Sequence, residues 1–492
     1  MKNILLMIAA GTMLSACSSN YVPGPDIQLQ PHYKQANAGK GKTIAPDTKW
    51  WANFGDPTLN SLIEEALVSN ISVEQARERI RAARFSARIV KGGYLPTIQG
   101  TTSATDSEAT VKYDSRQRQL VGFNPTTNAP VYRSYKKVTS DTSEATAGLA
   151  GSWTLDFGAR PSAEQQAALV EAQKETLNST RLDIIAGMAS AYLNVQGLGR
   201  EIDIANKSLS VQNDTAEITR AKLEAGSVSA LDSTQATAQA ALTASDIPTL
   251  VQSREQAINQ VAVLLGKEPA AVRSIFTKYR PVHYPRVKFA KGIPADLLRN
   301  RPDVRVAEWQ LRAAMSGIGV AEADQYPSLT LSGNVGVSST VGKYTGSWGF
   351  GPSINIPIFQ GGRVKANINL TKSDARVAYL SYKQTVITAV QDVENALVAV
   401  RTEQDRHGKL EIAVRDLTKA EALARQLNES GTTEFKNVLD AQASLYSAQL
   451  QLATSSLLVN LNYVALCQAL GGGWYGDEPV MSEDTITVAN KN

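Results

Sequence analysis

The sequence predicts an α+β membrane protein: a 12-stranded β-barrel shared by three copies of the chain, four strands from each, set on a long α-helical barrel. Three observations predict it. Two stretches of about sixty residues carry apolar and small side chains at three- and four-residue steps, the pattern of long helices packed in a coiled-coil seam. Four shorter stretches alternate apolar and uncharged polar residues with period two, as strands do. The whole plan then occurs twice, at a spacing that only an internal repeat explains.

The repeat is read residue by residue. Val73 matches Val304, Ala76 matches Ala307, and Arg81-Ala82-Ala83 matches Arg312-Ala313-Ala314, an offset of about 231; Pro96 then matches Pro327. Further along the offset falls to about 205, with Gly226 on Gly431, Ala236 on Ala441 and Gly266 on Gly471. A longer hairpin in the first copy accounts for the change.

In chain order, residues 1–16 read as a signal peptide, with Lys2 followed by an apolar stretch from Ile4 to Met13. That stretch is too short to cross a hydrocarbon layer of about 30 Å as a helix. Leu14-Ser15-Ala16-Cys17 resembles the bacterial lipoprotein cleavage signal. The resemblance implies cleavage before Cys17, then an S-diacylglycerol and an N-acyl chain on that residue. Each buried methylene adds about 0.8 kcal/mol, so several chains anchor durably. Ser18, where an Asp would favour the inner membrane, points to the outer one.

Residues 17–57 read as an extended leader rich in Pro, Gly and Asn. Repeat 1 (58–270) holds a helix, a β-hairpin at 97–157 and long helices at 163–225 and 228–265. An inter-repeat linker (271–292) follows. Repeat 2 (293–473) holds a helix, a hairpin at 328–358 and helices at 365–426 and 433–470, before a tail at 474–492. The first seam runs through Ile185, Met188, Tyr192, Val195, Leu198, Ile202, Ala205 and Leu209. Gly226 and Gly431 end the long helices in the left-handed conformation glycine tolerates best. Pro248 is expected to kink or break the returning helix. No stretch after the signal reads as a transmembrane helix, so a true crossing uses strands.

The strands of the second hairpin are the clearest. Leu329, Leu331, Val335 and Val337 alternate with Thr330, Ser332, Asn334 and Ser338; Trp348, Phe350, Pro352, Ile354, Ile356 and Ile358 alternate with glycines, serines and Asn355. In the first hairpin Leu149, Trp153, Leu155 and Phe157 oppose Thr146, Ser152, Thr154 and Asp156, and Thr97 to Ala104 is the weakest of the four. Apolar outside and uncharged polar inside is the signature of an outer-membrane barrel. Residues 106–142 read as a long solvated outer loop carrying Lys112, Arg116, Arg118, Arg133, Lys136 and Lys137. Four strands cannot close a barrel, and lipid does not tolerate open edges. Two chains would give eight strands and no bore; a cyclic homotrimer gives twelve.

Composition excludes other classes. The net charge of +4 is near balance, which argues against nucleic acid. His32, His283 and His407 lie far apart and two cysteines cannot staple the chain, so no metal site or disulfide framework is expected. Cys467 reads as a core residue. No nucleophile–base pair or phosphate loop appears, so an enzyme such as a surface hydrolase is not expected.

The run IPADLLRNRPDVRVAEWQLRAA from Ile293 resembles a signature of TolC-like outer-membrane efflux proteins, in the acylated branch paired with resistance-nodulation-division pumps. So do IGVAEADQYPSLTLSG from Ile318, PIFQGGRVKAN from Pro357, LLGKEP from Leu264, VLDAQ from Val438, and the Trp50-Trp51, Phe54, Asp56-Pro57 leader. The family's Trp-Glu-Leu-Asp-Leu-Phe-Gly-like run departs here to Trp153-Thr154-Leu155-Asp156-Phe157-Gly158. The resemblance implies an outer-membrane channel lipoprotein that passively conducts small molecules such as drugs. They would be handed on by a periplasmic adaptor and an inner-membrane pump of the resistance-nodulation-division type. It places a periplasmic gate at Asp440, with Lys436 and Asn437 beside it. Gly226-Ser227-Val228 and Gly431-Thr432-Thr433 become the adaptor-contacting tips. Asp232 and Glu434 are either docking or aperture groups, or first-turn acids favoured by the helix dipole. Two readings stay open beside it: the duct of a type I protein-secretion system, and a structural coiled-coil lipoprotein.

Overall fold

The computed structural model describes residues 49–111, 119–133, 138–277, 279–281, 301–340 and 343–473. The signal segment, Cys17, His32, His283, linker residues 282–292, the tail 474–492 and the basic residues Lys112, Arg116, Arg118, Lys136 and Lys137 lie outside them. The helices are α1 (Pro57–Ser69), α2 (Ile71–Gly93), α3 (Ala159–Glu224), α4 (Ala230–Leu264), α5 (Pro269–Val272), α6 (Pro302–Ala323), α7 (Arg363–Glu429) and α8 (Phe435–Ala469). The strands are β1 (Thr97–Val111), β2 (Gln119–Phe123), β3 (Pro130–Arg133), β4 (Val138–Leu155), β5 (Ser328–Thr340) and β6 (Lys343–Asn355). The chain divides into two compact units. One comprises the described residues up to Arg84, Ala168–Ala313 and the chain from Arg376; the other comprises Phe85–Ala167 and Ala314–Ala375.

In the first unit the repeat is visible as hydrogen bonding. The 66-residue α3 and the 67-residue α7 end alike. Gly226 N–H bonds Leu223 O at 2.9 Å and Ser227 N–H bonds Lys222 O at 2.8 Å; Gly431 bonds Asn428 O at 3.0 Å and Thr432 bonds Leu427 O at 2.8 Å. The φ values are +72° and +73°, so both turns are Schellman caps that satisfy the orphan carbonyls. The 35-residue α4 and α8 close the same way at Gly266 and Gly471. Pro248 sits inside α4 without breaking it, a correction to the expected interruption. It lies on an exposed face, where solvent can hydrate the carbonyl that its missing N–H leaves unpaired.

The main core joins Leu59, Ile63, Ile185, Met188, Tyr192 and Ile258, and a second core gathers Val304, Val386, Val393, Val400 and Leu466. The end of the leader is not extended. Trp50–Phe54 forms a 3-10 turn whose Trp50 and Phe54 rings are buried edge-on against Tyr463. Trp50 Nε1 donates to Gly472 O at 3.2 Å. Rings of this size bury too much apolar area to stay in water. Asp56 caps α1 through Thr58 N–H at 2.8 Å and accepts the Tyr192 hydroxyl; burial, then Asp56, push the Tyr192 pKa up. By length and composition α8 is apolar enough to cross a membrane, against expectation. Its apolar side chains instead fill these cores: Tyr463, Val464 and Cys467 one, Leu466 and Ala469 the other.

The second unit is built on an antiparallel sheet in the order β1-β4-β5-β6. Register puts Leu149, Val335 and Trp348 in one cross-sheet row and Leu155, Leu329 and Ile354 in another; Ser152, Ser332 and Gly351 form a row of the other parity. β1 runs on to Val111, β4 begins at Val138, and β2 pairs β3 between them. The described residues of the span expected to be loop are therefore mostly strand; in β1 and β4 Thr- and Ser-rich polar sequence carries the hairpin on past its apolar part. β6 ends at Asn355, short of Ile356 and Ile358, since Pro357 has no N–H to give a ladder.

Candidate functional site

Three features are candidates for function: the helical tips, the sheet and a buried polar cluster. At the second tip, Glu434 is the N-cap of α8, without a side-chain cap. Lys436 and Asp440, one turn apart, pair on an exposed face, with side chains 65% and 60% accessible. The bond to Asp440, then its charge, raise the Lys436 pKa, so the lysine stays cationic. Asn437 Nδ2 donates to Thr433 Oγ1 at 2.6 Å, and Asn428 Nδ2 donates to Thr433 O at 3.1 Å. Ser430 and Thr432 hydroxyls lie 2.9 Å apart. The three predicted gate residues thus sit on one turn, and Asn437 is tied to the tip residue Thr433.

The first tip differs. Ser229 caps α4, and Asp232 returns the bond: Asp232 N–H to Ser229 Oγ is 3.1 Å and Ser229 N–H to Asp232 Oδ2 is 3.2 Å. Asp232 is therefore a capping-box acid. Gly226, Ser227, Gly431 and Thr432 are exposed; Val228 and Thr433 are half-buried.

The sheet presents an unusual surface. Trp348, Phe350 and Ile354 are 83%, 77% and 64% exposed, and Ile98, Leu149 and Val335 are exposed beside them. Their rows hold no charge. Among the described residues, β1 and β6 each have one unpaired edge. In water such a face and such edges invite aggregation; in a hydrocarbon layer the face is at home.

A third cluster lies where sequence reasoning saw only a signature. Arg301, 8% exposed, donates from Nη1 to Ala469 O at 2.8 Å. Nε and Nη2 reach Asp303 at 3.1 and 2.8 Å, and Nη2 reaches Asp392 at 3.0 Å. One guanidinium thus ties the start of α6, the middle of α7 and the end of α8. A cavity of about 470 Å³ beside it is lined by Asp183, Asn395 and Gln468 among others. Gln468 Nε2 donates to Asp183 Oδ1 at 3.0 Å, yet burial outweighs that bond and raises the Asp183 pKa. The Arg-Pro-Asp run was the available signal; its partner at Asp392 was not, because 91 residues separate them.

The family model "Outer membrane efflux protein" matches residues 62–267 and 293–472. The chain is similar to "Nodulation protein T" of Rhizobium leguminosarum bv. viciae, 32% identical over 98% of this chain and 95% of that protein. It is similar also to "Toluene efflux pump outer membrane protein TtgF" of Pseudomonas putida, 31% identical over 96% and 98%. Among solved structures it resembles the outer-membrane channel OprN, with a TM-score of 0.78 and 29% identity over 92% of this chain and 99% of that one. It also resembles the outer membrane protein VceC of Vibrio cholerae, with a TM-score of 0.74 and 25% identity over 87% and 100%. With two matched segments covering both repeats, the chain belongs to the outer membrane efflux protein family and is an outer-membrane efflux channel extending into the periplasm.

Proposed function

We propose that three copies of this chain close one 12-stranded barrel and continue it as a twelve-helix tube, through which small molecules such as drugs pass without chemistry. The observation that carries this reading is the open-edged four-stranded sheet with its uncharged, exposed apolar face. Such a sheet becomes stable in lipid only when other copies cover both edges. Free energy for transport comes from an inner-membrane pump of the resistance-nodulation-division type, through a periplasmic adaptor that docks on the tips at Gly226-Ser227-Val228 and Gly431-Thr432-Thr433. That Nodulation protein T and TtgF match over almost their whole length supports this assignment. The mature chain is anchored by acyl chains on Cys17.

In this reading the gate is the ring of Lys436–Asp440 pairs. Three carboxylates brought close repel one another, and Lys436 offsets each within its own protomer. The test is planar-bilayer conductance of the purified channel. Lys436→Ala with Asp440→Ala is expected to raise conductance; a channel that never conducts, with or without these changes, overturns the reading. For the anchor, Cys17→Ser is expected to abolish labelling by radioactive palmitate, and persistent labelling refutes it.

A further inference from the structure

The returning helices α4 and α8 differ along their length. Toward the tips, α8 packs with polar and small side chains: Gln442 Nε2 donates to Thr215 Oγ1 at 3.2 Å and Tyr446 Oη donates to Asp246 at 3.2 Å. Toward Gly471, α8 is held by Tyr463, Val464 and Cys467 in an apolar core and by Arg301 at the Ala469 carbonyl.

Between these halves lie three consecutive hydroxyls, each bonded to another helix. Thr454 Oγ1 donates to Glu201 of α3 at 2.8 Å, Ser455 Oγ donates to Glu403 of α7, and Ser456 Oγ lies 3.0 Å from Nε2 of His407, also of α7. Ser456 gives its proton back to Leu452 O at 2.7 Å. The imidazole Nε2–H is therefore the donor in their bond, and a back-bonded serine of this kind slightly destabilises its helix. The first repeat carries its own helix-weakening device at the same level. At the offset of about 205, Pro248 falls on Ala453, next to Thr454. Each lies eighteen residues into its helix, from Ala230 and from Phe435. Pro248 removes one helical hydrogen bond, and proline and inserted side-chain hydroxyls are the usual causes of helix bending.

We infer that Pro248 in α4 and the Thr454–Ser456 node in α8 form a ring of hinges about 27 Å from the tips. The tip halves swing on it while the Gly471 ends stay fixed. Thr454, Ser455 and Ser456 are positioning residues for opening, since they set the level above which α8 cannot move. This rests on the reading of the tips as the gate.

Two reducible cross-links test it, because α3 and α8 run antiparallel and meet on both sides of the node. In a Cys467→Ala background, Thr215→Cys with Gln442→Cys spans the tip side, and Asp183→Cys with Gln468→Cys spans the fixed side. Each pair is bridged by a short bis-methanethiosulfonate in the Lys436→Ala/Asp440→Ala channel. The tip-side bridge is expected to abolish the gain in conductance and reductant to restore it, while the fixed-side bridge leaves it unchanged. Equal effects of the two bridges, or none from either, overturn the hinge. If the unbridged channel shows no gain, the gate reading fails instead, and amide hydrogen exchange on the unmodified full-length channel decides the hinge separately. Exchange is then expected to step up by about tenfold on the tip side of Pro248 and Ala453, and the step to shrink in Pro248→Ala and Ser456→Ala. A smooth gradient, unmoved by either substitution, refutes it.

Discussion

Arg301 Nη1 donates to the main-chain oxygen of Ala469 at 2.8 Å, so the first residue before α6 holds the last turn of α8, 168 residues away. The same guanidinium is shared by Asp303 and Asp392. Removing it leaves a buried carbonyl unpaired and two half-exposed carboxylates facing one cavity. Arg301→Ala is expected to cost about 2–4 kcal/mol, less than for a fully buried pair because both acids keep water. Arg301→Lys should recover only part, since an ammonium cannot reproduce the fork. Thermal unfolding of the purified channel, followed by helix content, checks both values; equal stability of the wild type and Arg301→Ala would contradict the assignment.

How far the sequence alone reaches is clear from this residue. The repeat, the four Schellman glycines and the apolar strand faces are local or periodic signals, and they survive into three dimensions. The pairing of Lys436 with Asp440 was legible because helical geometry puts them one turn apart. Arg301 with Asp392, Tyr192 with Asp56 and Trp50 with Gly472 were not, since nothing in a periodic pattern tells which distant partner completes a buried polar group. The buried 3-10 turn at Trp50–Phe54 was hidden for a related reason. Its neighbours in sequence have leader composition, and only the core of α8 explains where three aromatic rings go.

The sheet faces give a paired prediction. Phe350 lies on the apolar, exposed parity of β6, across from Gly333; Ser332, one residue on in β5, has the other parity. Phe350→Arg should cost about 2–4 kcal/mol in a membrane mid-plane and deplete the channel from outer-membrane fractions. Ser332→Arg should insert normally and lower conductance instead. Fractionation followed by bilayer recording separates the two, and equal insertion defects would argue against opposite faces.

Glycines with the same backbone but different surroundings allow a controlled comparison. Gly226 has φ +72° with nothing within 4 Å of an added Cβ, whereas Gly266 has φ +65° with Ser69 O only 2.7 Å away. Gly226→Ala should therefore cost only the left-handed strain, about 1 kcal/mol. Gly266→Ala should cost clearly more, because a backbone oxygen must move. Denaturant or thermal melts rank them, and the reverse order would show that the tip turn is more constrained than its open surroundings imply.

Asp183 supplies a pH prediction whose sign follows from burial. Its carboxyl, desolvated first and then repelled by Asp303, binds its proton more tightly when folded than when unfolded. Between the ordinary carboxylate pKa and the raised one, the native state holds more protons, so stability falls as pH rises through that window and levels off above it. Neutral Asp183→Asn keeps the shape and an acceptor for Gln468 Nε2 while removing the ionisation. The substituted channel should melt slightly higher than the wild type at pH 7, and the difference should vanish as the pH falls toward 4. A wild type that instead gains stability from this group as pH rises would mean that the Gln468 bond and the Arg301 charge, the two influences that lower this pKa, outweigh desolvation at the cavity wall.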